Sequence, residues 1–430
     1  MNLEGTRFRR ELSKKLLAKR SELLAWYQEK AQIAPPPFYL SVDLRDSGHK
    51  IAPVDCNLYP AGFNNLCSED IRTAPAVIRS EILKEASSLG LSDPQKILIL
   101  PESHTSNTYY IENLAQLSDL IREAGFEVQV GWYVADLAAS NTNTPIPLKS
   151  VSGRELQALP IEIPVGGVLS AGGFVPDLIL INNDFSAGYP KVLDAVVQPM
   201  IPSHRLGWHT RKKSEHFFHY NNLAAEFAQI AGIDPWVVQI DTQEVAGVNF
   251  NEELGTDRVV DQVQQMLVRT QTAYERHQIG EPPFVFVKNN AGTYGMGIMV
   301  VHSADEITQM NRRTKNKMSV GKGKAQIESV VVQEGIPTQT RFEKTSAEPV
   351  IYMVGCELIG GFLRTNPERG DEDNLNSAGM VFKRLCMSDL RDAERGEMPE
   401  AGVLEIVYGA IARISALAAG LEIKAHLPMR

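Results

Sequence analysis

Lys288 closes an apolar run, Phe284–Val287, and Asn289, Asn290, Gly292, Thr293, Tyr294, Gly295, Met296 and Gly297 follow before a second β-branched run, Ile298–Val301. An ammonium group leaving a strand into a glycine-rich turn suits phosphate. The glycines permit a tight turn that brings backbone N–H groups against phosphate oxygens, and the lysine adds compensating charge. The plainer alternative is a hairpin with a flexible tip. Two common phosphate motifs are excluded: a Walker loop needs Lys-Ser/Thr directly after its last glycine, and a dinucleotide fingerprint opens a helix, whereas a strand follows here.

Further polar residues sit at strand ends. Ser329–Pro337 reads as a buried strand ending in Gln333, Glu334 and Ile336, where a carboxylate and neighbouring backbone can take the amino group and ring nitrogens of an adenine. Glu348 opens another strand, and Gly360–Asn366 places Arg364 near the end of one more. A guidinium fork there can hold a carboxylate or a developing phosphoryl charge, or simply make a surface ion pair. Asp373–Gly379 follows, a loop in which Asn374 and Asn376 can bind phosphate, substrate or metal. The segment His204–His216 carries Arg205, Arg211, Lys212 and Lys213, readable as an anion site or as a solvated linker and helix cap. His204, His209, His216 and His219 show no zinc spacing.

These residues need a scaffold. Residues 3–32 have the spacing of one amphipathic helix, ended by Pro35, Pro36 and Pro37. Phe38–Arg45, a turn at Asp46–Gly48, and Lys50–Asn57 read as a hairpin, and a helix is expected from Thr73 to Leu89, stopped by Gly90. From Gln95 the character changes to alternating strands and helices: strand Ile97–Leu100, helix Tyr109–Ala124, strand Glu127–Val134 and strand Asp177–Ile181. That alternation implies a parallel sheet covered by helices, with ligands beyond the carboxyl ends of its strands. Glu102, Ser103, His104, Thr105 and Asn107 follow one strand there, and Asn182, Asn183 and Asp184 another. A helix running to Ala231, a second over 257–277 and a closing helix through Val403, Leu404, Val407, Ile411 and Ile414 complete the pattern. The basic stretch 311–324, with Gly321 and Gly323, reads first as a solvated loop and second as a phosphate-covering lid.

Composition bounds the function. A chain of 430 residues supports two or three domains, and a formal charge of −9 with pI near 5.6 argues against a nucleic-acid surface while allowing a nucleotide substrate. Cys56, Cys67, Cys356 and Cys386 have no metal spacing and are too sparse for a disulfide framework, which points to a reducing cytoplasm. No apolar run suggests a bilayer span, and the basic N-terminus, broken by Glu4, Glu11 and Glu22, suggests neither signal nor transit peptide.

Taken in order, Phe284 to Gly379 resembles the nucleotide-binding half of the ATP-grasp ligases: lysine strand, glycine loop, strand, Gln-Glu adenine strand, acidic strand, arginine strand. That family's magnesium ligands usually follow the arginine strand, and no such pattern follows Gly379. Val42–Asn57, trailed by Pro60–Phe63, looks like the missing hairpin. Asp43 and Asp55 are 55 − 43 = 12 positions apart, and Asn57 shares a strand face with Asp55. Hard oxygen donors in this arrangement suit magnesium. The resemblance therefore implies an α/β (α+β) protein with a circularly permuted ATP-grasp fold, as in the eukaryotic glutathione synthetases, and a Rossmann-like parallel α/β substrate domain. Its divisions would be 1–92, an N-terminal helix and magnesium hairpin; 93–204, the substrate domain; and 205–430, the nucleotide-binding domain with a closing helix.

Val42–Asn65, Pro101–Asn107, Arg211–Phe217 and Lys288–Gly297 together resemble the proteobacterial glutamate–cysteine ligase family of the ferrooxidans type. The resemblance implies ATP-dependent joining of the glutamate γ-carboxylate to cysteine through a γ-glutamyl phosphate, in a cytoplasmic enzyme without nucleic-acid or membrane partners; a homo-oligomer is compatible with it. Lys288 and Arg364 would be catalytic. Lys213, Lys288, Asn289, Gly292, Thr293, Tyr294, Gly295, Met296, Gly297, Gln333, Glu334 and Ile336 would bind ATP. Asp43, Asp55 and Asn57 would bind Mg2+, and Arg45, Asn64, Asn65, Ser103, His104, Thr105, Asn107, Asn374 and Asn376 the amino acids. Cys56 alternates to the opposite face from Asp55 and reads as packing rather than as a nucleophile. Two rivals are another amino-acid ligase, such as a glutathione synthetase, and a non-catalytic nucleotide sensor.

Overall fold

Strand alternation builds the layer that carries Lys288. In Val285–Asn289 and Ser329–Glu334, Val285, Val287, Val330 and Val332 enter one core with Val259, Val263, Met266 and Leu267 of the helix Thr256–Arg276. Successive side chains point to opposite faces, so Phe286, Lys288 and Gln333 are left on the other side. The sheet runs Thr242–Ala246, Ser329–Glu334, Val285–Asn289, Ile298–Val301, antiparallel throughout. The computed structural model describes residues 7–102, 107–133, 144–186, 188–292, 297–319, 327–387 and 400–427.

A second antiparallel sheet joins the two ends of the chain. Its order is Val381–Leu385, Glu357–Thr365, Thr345–Val354, Tyr39–Asp46, Ile51–Asn57. The expected N-terminal hairpin is present, and it extends a sheet whose other strands lie some three hundred residues later, with Asp43 opposite Val350. Within the hairpin Asp43 is opposite Asp55, and the register shifts just after Asp43. The third sheet has four parallel strands in the order Glu155–Glu162, Glu127–Trp132, Lys96–Pro101, Leu178–Asn182, with the short parallel strand Met200–Ile201 beyond and Ile146–Lys149 as an antiparallel edge. The fold is mixed α/β with several sheets.

The helix Glu400–His426 is the central packing element. It is apolar almost all round, and Val407, Tyr408, Ile411, Ala412, Ile414, Leu417, Ala418 and Ala419 are at most 1% exposed. By length and composition it could cross a bilayer, contrary to the expectation that no segment could, but 78% of its apolar window is buried inside the protein. Such a helix is a core helix. Gly420 lets its last turns approach the chain closely: a Cβ there would lie 2.6 Å from the carbonyl oxygens of Ala34 and Pro35.

Three local expectations change. The N-terminal helix is two, Arg7–Ala18 and Arg20–Ile33, because Lys19 leaves helical geometry at φ −110° and ψ 15°. Arg312–Ser319, inside the basic stretch, is helical; residues 320–326 lie outside the described part. Cys67 and Cys386 are joined by a disulfide, against the expectation of four thiols. They are 319 positions apart, so no local spacing could have marked them. Tertiary packing brings them together: Asp70 accepts a hydrogen bond from the Met387 amide at 3.0 Å, tying the segment after Cys67 to that after Cys386.

Candidate active site

The lysine face and the hairpin face enclose one cavity. Lys288 and Asn289 line it from one sheet and Gly292 from the loop that follows, Asp43, Arg45, Asp55, Glu348 and Arg364 from the other sheet, together with Lys213, Asn374 and Asn376. The Lys288 ammonium spans the gap, donating to Gln333 Oε1 at 2.7 Å and to the Val54 carbonyl at 3.3 Å. The distant halves anticipated from sequence therefore meet.

The cavity walls are densely and oppositely charged. Arg364 Nη1 donates to Asp43 Oδ2 at 2.6 Å and reaches Glu348 Oε2 at 3.4 Å, while Arg45 Nε donates to Glu348 Oε1 at 2.7 Å. Lys213 Nζ donates to Asp55 Oδ1 at 2.5 Å. Burial pushes the Asp43 pKa up, only partly offset by Arg364. Burial also opposes charge on Asp55, but Lys213 and Lys288 outweigh it and hold its pKa below the usual carboxylate range. Burial lowers the Lys288 pKa to about 7 against the attraction of Asp55. For Arg364, Asp43 and Glu348 outweigh burial and raise the pKa. The cavity thus offers three or more cationic groups to an anion and several carboxylate oxygens to a cation.

As a test of metal fit, the donor set is consistent. Asp43 and Asp55 are cross-strand neighbours, which puts their side chains on one face, and Asn57 is two residues on. All three offer oxygen, the donor that hard divalent cations take. Asn57 Oδ1 also accepts from the Tyr59 amide at 3.0 Å. Among the described residues, Cys67, Glu69 and Cys386 form another close group, but its two sulfurs are bonded to each other and are not thiolate ligands.

A second cavity shares Asp43, Asp55, Asn376 and Arg364 with the first. Beyond that boundary it is bordered by Asn57 and Asn65, by the aromatic groups of Tyr59, Trp208, Tyr352, Phe362 and Phe382, and by Glu102 and Asp184 at the ends of parallel strands.

Several anticipated residues take other positions. Glu334 does not line either of these cavities: its carboxylate accepts from Lys50 Nζ at 2.6 Å and from the Asp241 amide at 3.2 Å. Its neighbour Gln333 instead faces Lys288. Ile336 borders a separate crevice beside Lys50 and Trp236. Gly297, at φ 62°, packs on Ile327 and Asn289, where a Cβ would lie 2.9 Å from Ile327 Cδ1 and 3.3 Å from Asn289 Cβ. Arg45 is 2% exposed and holds the 371–373 loop through the Asp371 and Asp373 carbonyls. Asn64 donates to Asn65 Oδ1, and Asn107 caps the helix Thr108–Glu123 by accepting from the Tyr110 amide. Thr293, Tyr294, Gly295, Met296, Ser103, His104 and Thr105 lie outside the described residues. The basic cluster separates: Arg205 pairs with Asp194, Arg211 with Glu422 and Lys212 with Glu244, leaving Lys213 as its member in the cavity.

Glu348, Phe286 and Ile298 join the cavity without having been singled out as site residues. A signal existed for Glu348, a carboxylate directly before the apolar run Pro349–Val354 of its strand. No comparable signal marks Phe286 or Ile298, which look like ordinary strand residues.

Residues 13–423 match the family model described as GshA, glutamate-cysteine ligase. Among solved structures, a candidate gamma-glutamylcysteine synthetase from Methylobacillus flagellatus KT is similar at 34% identity and TM-score 0.86, covering 99% of this chain and 98% of that one. D-alanyl-alanine synthetase A from Vibrio cholerae O1 biovar eltor str. N16961 has 12% identity and TM-score 0.33 over 74% of this chain and 79% of its own, a likeness too slight to carry an argument. No curated protein matches the sequence significantly.

Proposed function

The chain belongs to the glutamate-cysteine ligase family, and from that membership we propose how its own residues carry out the reaction. It is a ligase that joins glutamate to cysteine in glutathione synthesis, with ATP as a substrate. The observation that carries the residue assignment is the single cavity in which Lys288 and Gly292 face Asp43, Asp55 and Arg364.

In this reading the triphosphate lies between Lys288, Lys213 and the glycine-loop amides. An oxygen of the glutamate γ-carboxylate attacks the γ-phosphorus, the bond to the β,γ-bridging oxygen breaks, and ADP leaves. Arg364 balances charge on the transferring group and then on the γ-glutamyl phosphate. The cysteine amine attacks the γ-carbonyl carbon and loses a proton, and the carbon–oxygen bond breaks to release phosphate. Asp43, Asp55 and Asn57 would hold Mg2+, which when bound neutralises phosphate charge. The pairs Arg364–Asp43 and Lys213–Asp55 would then exchange partners, cations turning to phosphate and carboxylates to metal. Pairing in advance keeps buried charges compensated until substrates arrive.

The same reading treats the fold as a permuted ATP-grasp fold. Supporting it is the hairpin Tyr39–Asn57, which is N-terminal in sequence yet extends the sheet of the arginine strand. The divisions 1–92, 93–204 and 205–430 and a cytoplasmic location, where ATP and free amino acids are supplied, belong to the proposal. Adenine recognition shifts within it to Phe286, which lines the Lys288 side of the cleft, while Gln333 is buried against Lys288 and Glu334 holds Lys50.

Phosphate release with ATP tests the reaction. Glutamate plus cysteine should support release and yield a product of the mass of γ-glutamylcysteine, while γ-glutamylcysteine plus glycine should not. Turnover with the second pair would indicate a glutathione synthetase, and nucleotide binding without amino-acid-dependent release would indicate a sensor; either outcome overturns the reading.

A further inference from the structure

The hairpin sheet turns an ordered grid of side chains toward the second cavity. Ser41 is opposite both Asn57 and Tyr352, and Asp43 is opposite both Asp55 and Val350. Residues two apart on a strand share a face, so these six form two rows on one side of the sheet, and all of them border the cavity. Asp43 and Asp55 also line the Lys288 cavity, whereas Ser41, Asn57 and Tyr352 line only the second.

The row farther from Lys288 carries polar groups with capacity to spare. Ser41 and Tyr352 are 6% and 2% exposed, yet among the described residues neither hydroxyl has a hydrogen-bond partner. Gly62 makes room for the phenol, since a Cβ there would lie 2.6 Å from Tyr352 Oη. Burial pushes the Tyr352 pKa up, so this hydroxyl keeps its proton and can donate. Asn57 Oδ1 accepts from the Tyr59 amide, and Asn65 Oδ1, at the same cavity, accepts from Asn64 Nδ2, so each asparagine has N–H left to offer. Two hydroxyls and two amide donors without a cation among them match a carboxylate and not an ammonium group, because an amide N–H cannot accept. The acidic groups bordering the same cavity are engaged: Asp43 with Arg364, Asp55 with Lys213, Asp184 with the Ser186 hydroxyl, and Glu102 likewise.

We infer that Ser41 and Tyr352 seat the α-carboxylate of glutamate and thereby select the amino acid whose side-chain carboxylate reaches the phosphate. The inference rests on the ligase reading above and adds a specificity site to it. Arg364, Asp43 and Asp55 line both cavities, so the γ-carboxylate meets the phosphate beside the Asp43 row. The Ser41 row lies two residues further along the strands, about 7 Å away. Extended glutamate sets its α-carboxyl carbon about 5 Å from its γ-carboxyl carbon, and the carboxylate oxygens and the hydroxyls close the remainder. Cysteine is too short for the same span, its α-carboxyl carbon being about 2.5 Å from the nitrogen that must attack.

Two analogues test the assignment: γ-aminobutyrate, which is glutamate without its α-carboxylate, and cysteamine, which is cysteine without its own. Wild-type protein and the variants Tyr352→Phe and Ser41→Ala are assayed for phosphate release with ATP and each pairing. With glutamate, kcat/KM should fall at least about tenfold in each variant, the loss of one hydrogen bond to a charged group, while with γ-aminobutyrate it should change less than about threefold. Where γ-aminobutyrate supports no turnover, its dissociation constant takes the place of kcat/KM. The loss with glutamate should persist when cysteamine replaces cysteine. Equal losses with glutamate and γ-aminobutyrate, or a loss that disappears with cysteamine, would overturn the assignment. Circular dichroism identifies a variant that does not fold, and calorimetry on wild type needs no variant: γ-aminobutyrate binding as tightly as glutamate also overturns it. Absence of glutamate–cysteine ligation by wild type is a separate result, one that sinks the ligase reading and the specificity site with it.

Discussion

Lys288 makes ATP affinity depend on pH in a direction that can be worked out. Its ammonium is buried and has a pKa lowered to about 7, whereas a bound triphosphate favours the charged form and raises that value. At pH 8 only about one lysine in ten is already protonated, so binding must take up about 0.9 proton. Above pH 7 each further pH unit weakens binding by up to about tenfold, giving about fiftyfold between pH 7 and 9, or about 2.3 kcal/mol. Calorimetric titration with magnesium and a non-hydrolysable ATP analogue, repeated in buffers of different ionisation enthalpy, measures both affinity and proton uptake. Lys288→Arg provides the control, because arginine stays protonated across this range, and its affinity should be nearly flat from pH 7 to 9. A wild-type dissociation constant constant within twofold over that range, or uptake below about 0.2 proton at pH 8, would refute the assignment of Lys288 to the phosphates.

Other outcomes follow from the same contacts. Asp43→Asn removes the closest partner of Arg364; turnover should drop by at least about a hundredfold, and thermal unfolding should show a loss of about 3 kcal/mol. Activity within tenfold of wild type would argue against a direct role. Glu422, held by the Arg211 fork at 2.6 and 2.9 Å, has its pKa lowered to about 2: burial opposes its charge, and Arg211 and His216 outweigh it. Because the folded-state pKa lies below the unfolded one, its contribution is fully present above about pH 4.5 and is lost as pH falls toward about 2. Urea unfolding across that window should lose on the order of 3 kcal/mol in wild type and less in Glu422→Gln. Gly420→Ala drives a Cβ into the Ala34 and Pro35 carbonyls and should lower stability by about 1–3 kcal/mol while leaving KM for ATP unchanged, measurable by thermal melting and initial rates.

Much of the scaffold was legible because its signals are local. A run of β-branched and aromatic residues marked the strand before Lys288, the glycines its end, and the βα alternation after Gln95 the parallel sheet. The hairpin carrying Asp43 and Asp55 was likewise visible from two strands and a Ser-Gly turn. Less legible were features that depend on long-range partners. Glu334 and Gln333 are adjacent in sequence, and both are polar at the end of an apolar strand; only the sheet's two faces show that Gln333 meets Lys288 while Glu334 meets Lys50. The four basic residues between Arg205 and Lys213 looked alike, yet distant carboxylates on three different elements claim three of them. The closing helix was recognised, but its suitability for a bilayer and its burial in the core are separated only by packing.

By itself, then, the sequence determined which residue types stand at which strand ends, because side-chain periodicity, glycine conformation and turn chemistry act over a few residues. It thereby fixed the inventory of a phosphate- and metal-directed site. Tertiary structure decided which members of that inventory share a cavity, by laying the N-terminal hairpin beside Thr345–Val354 and closing its charged face against Lys288. That outcome rests on sheet register and on the burial of paired charges, and both couple residues hundreds of positions apart, beyond the reach of any local pattern.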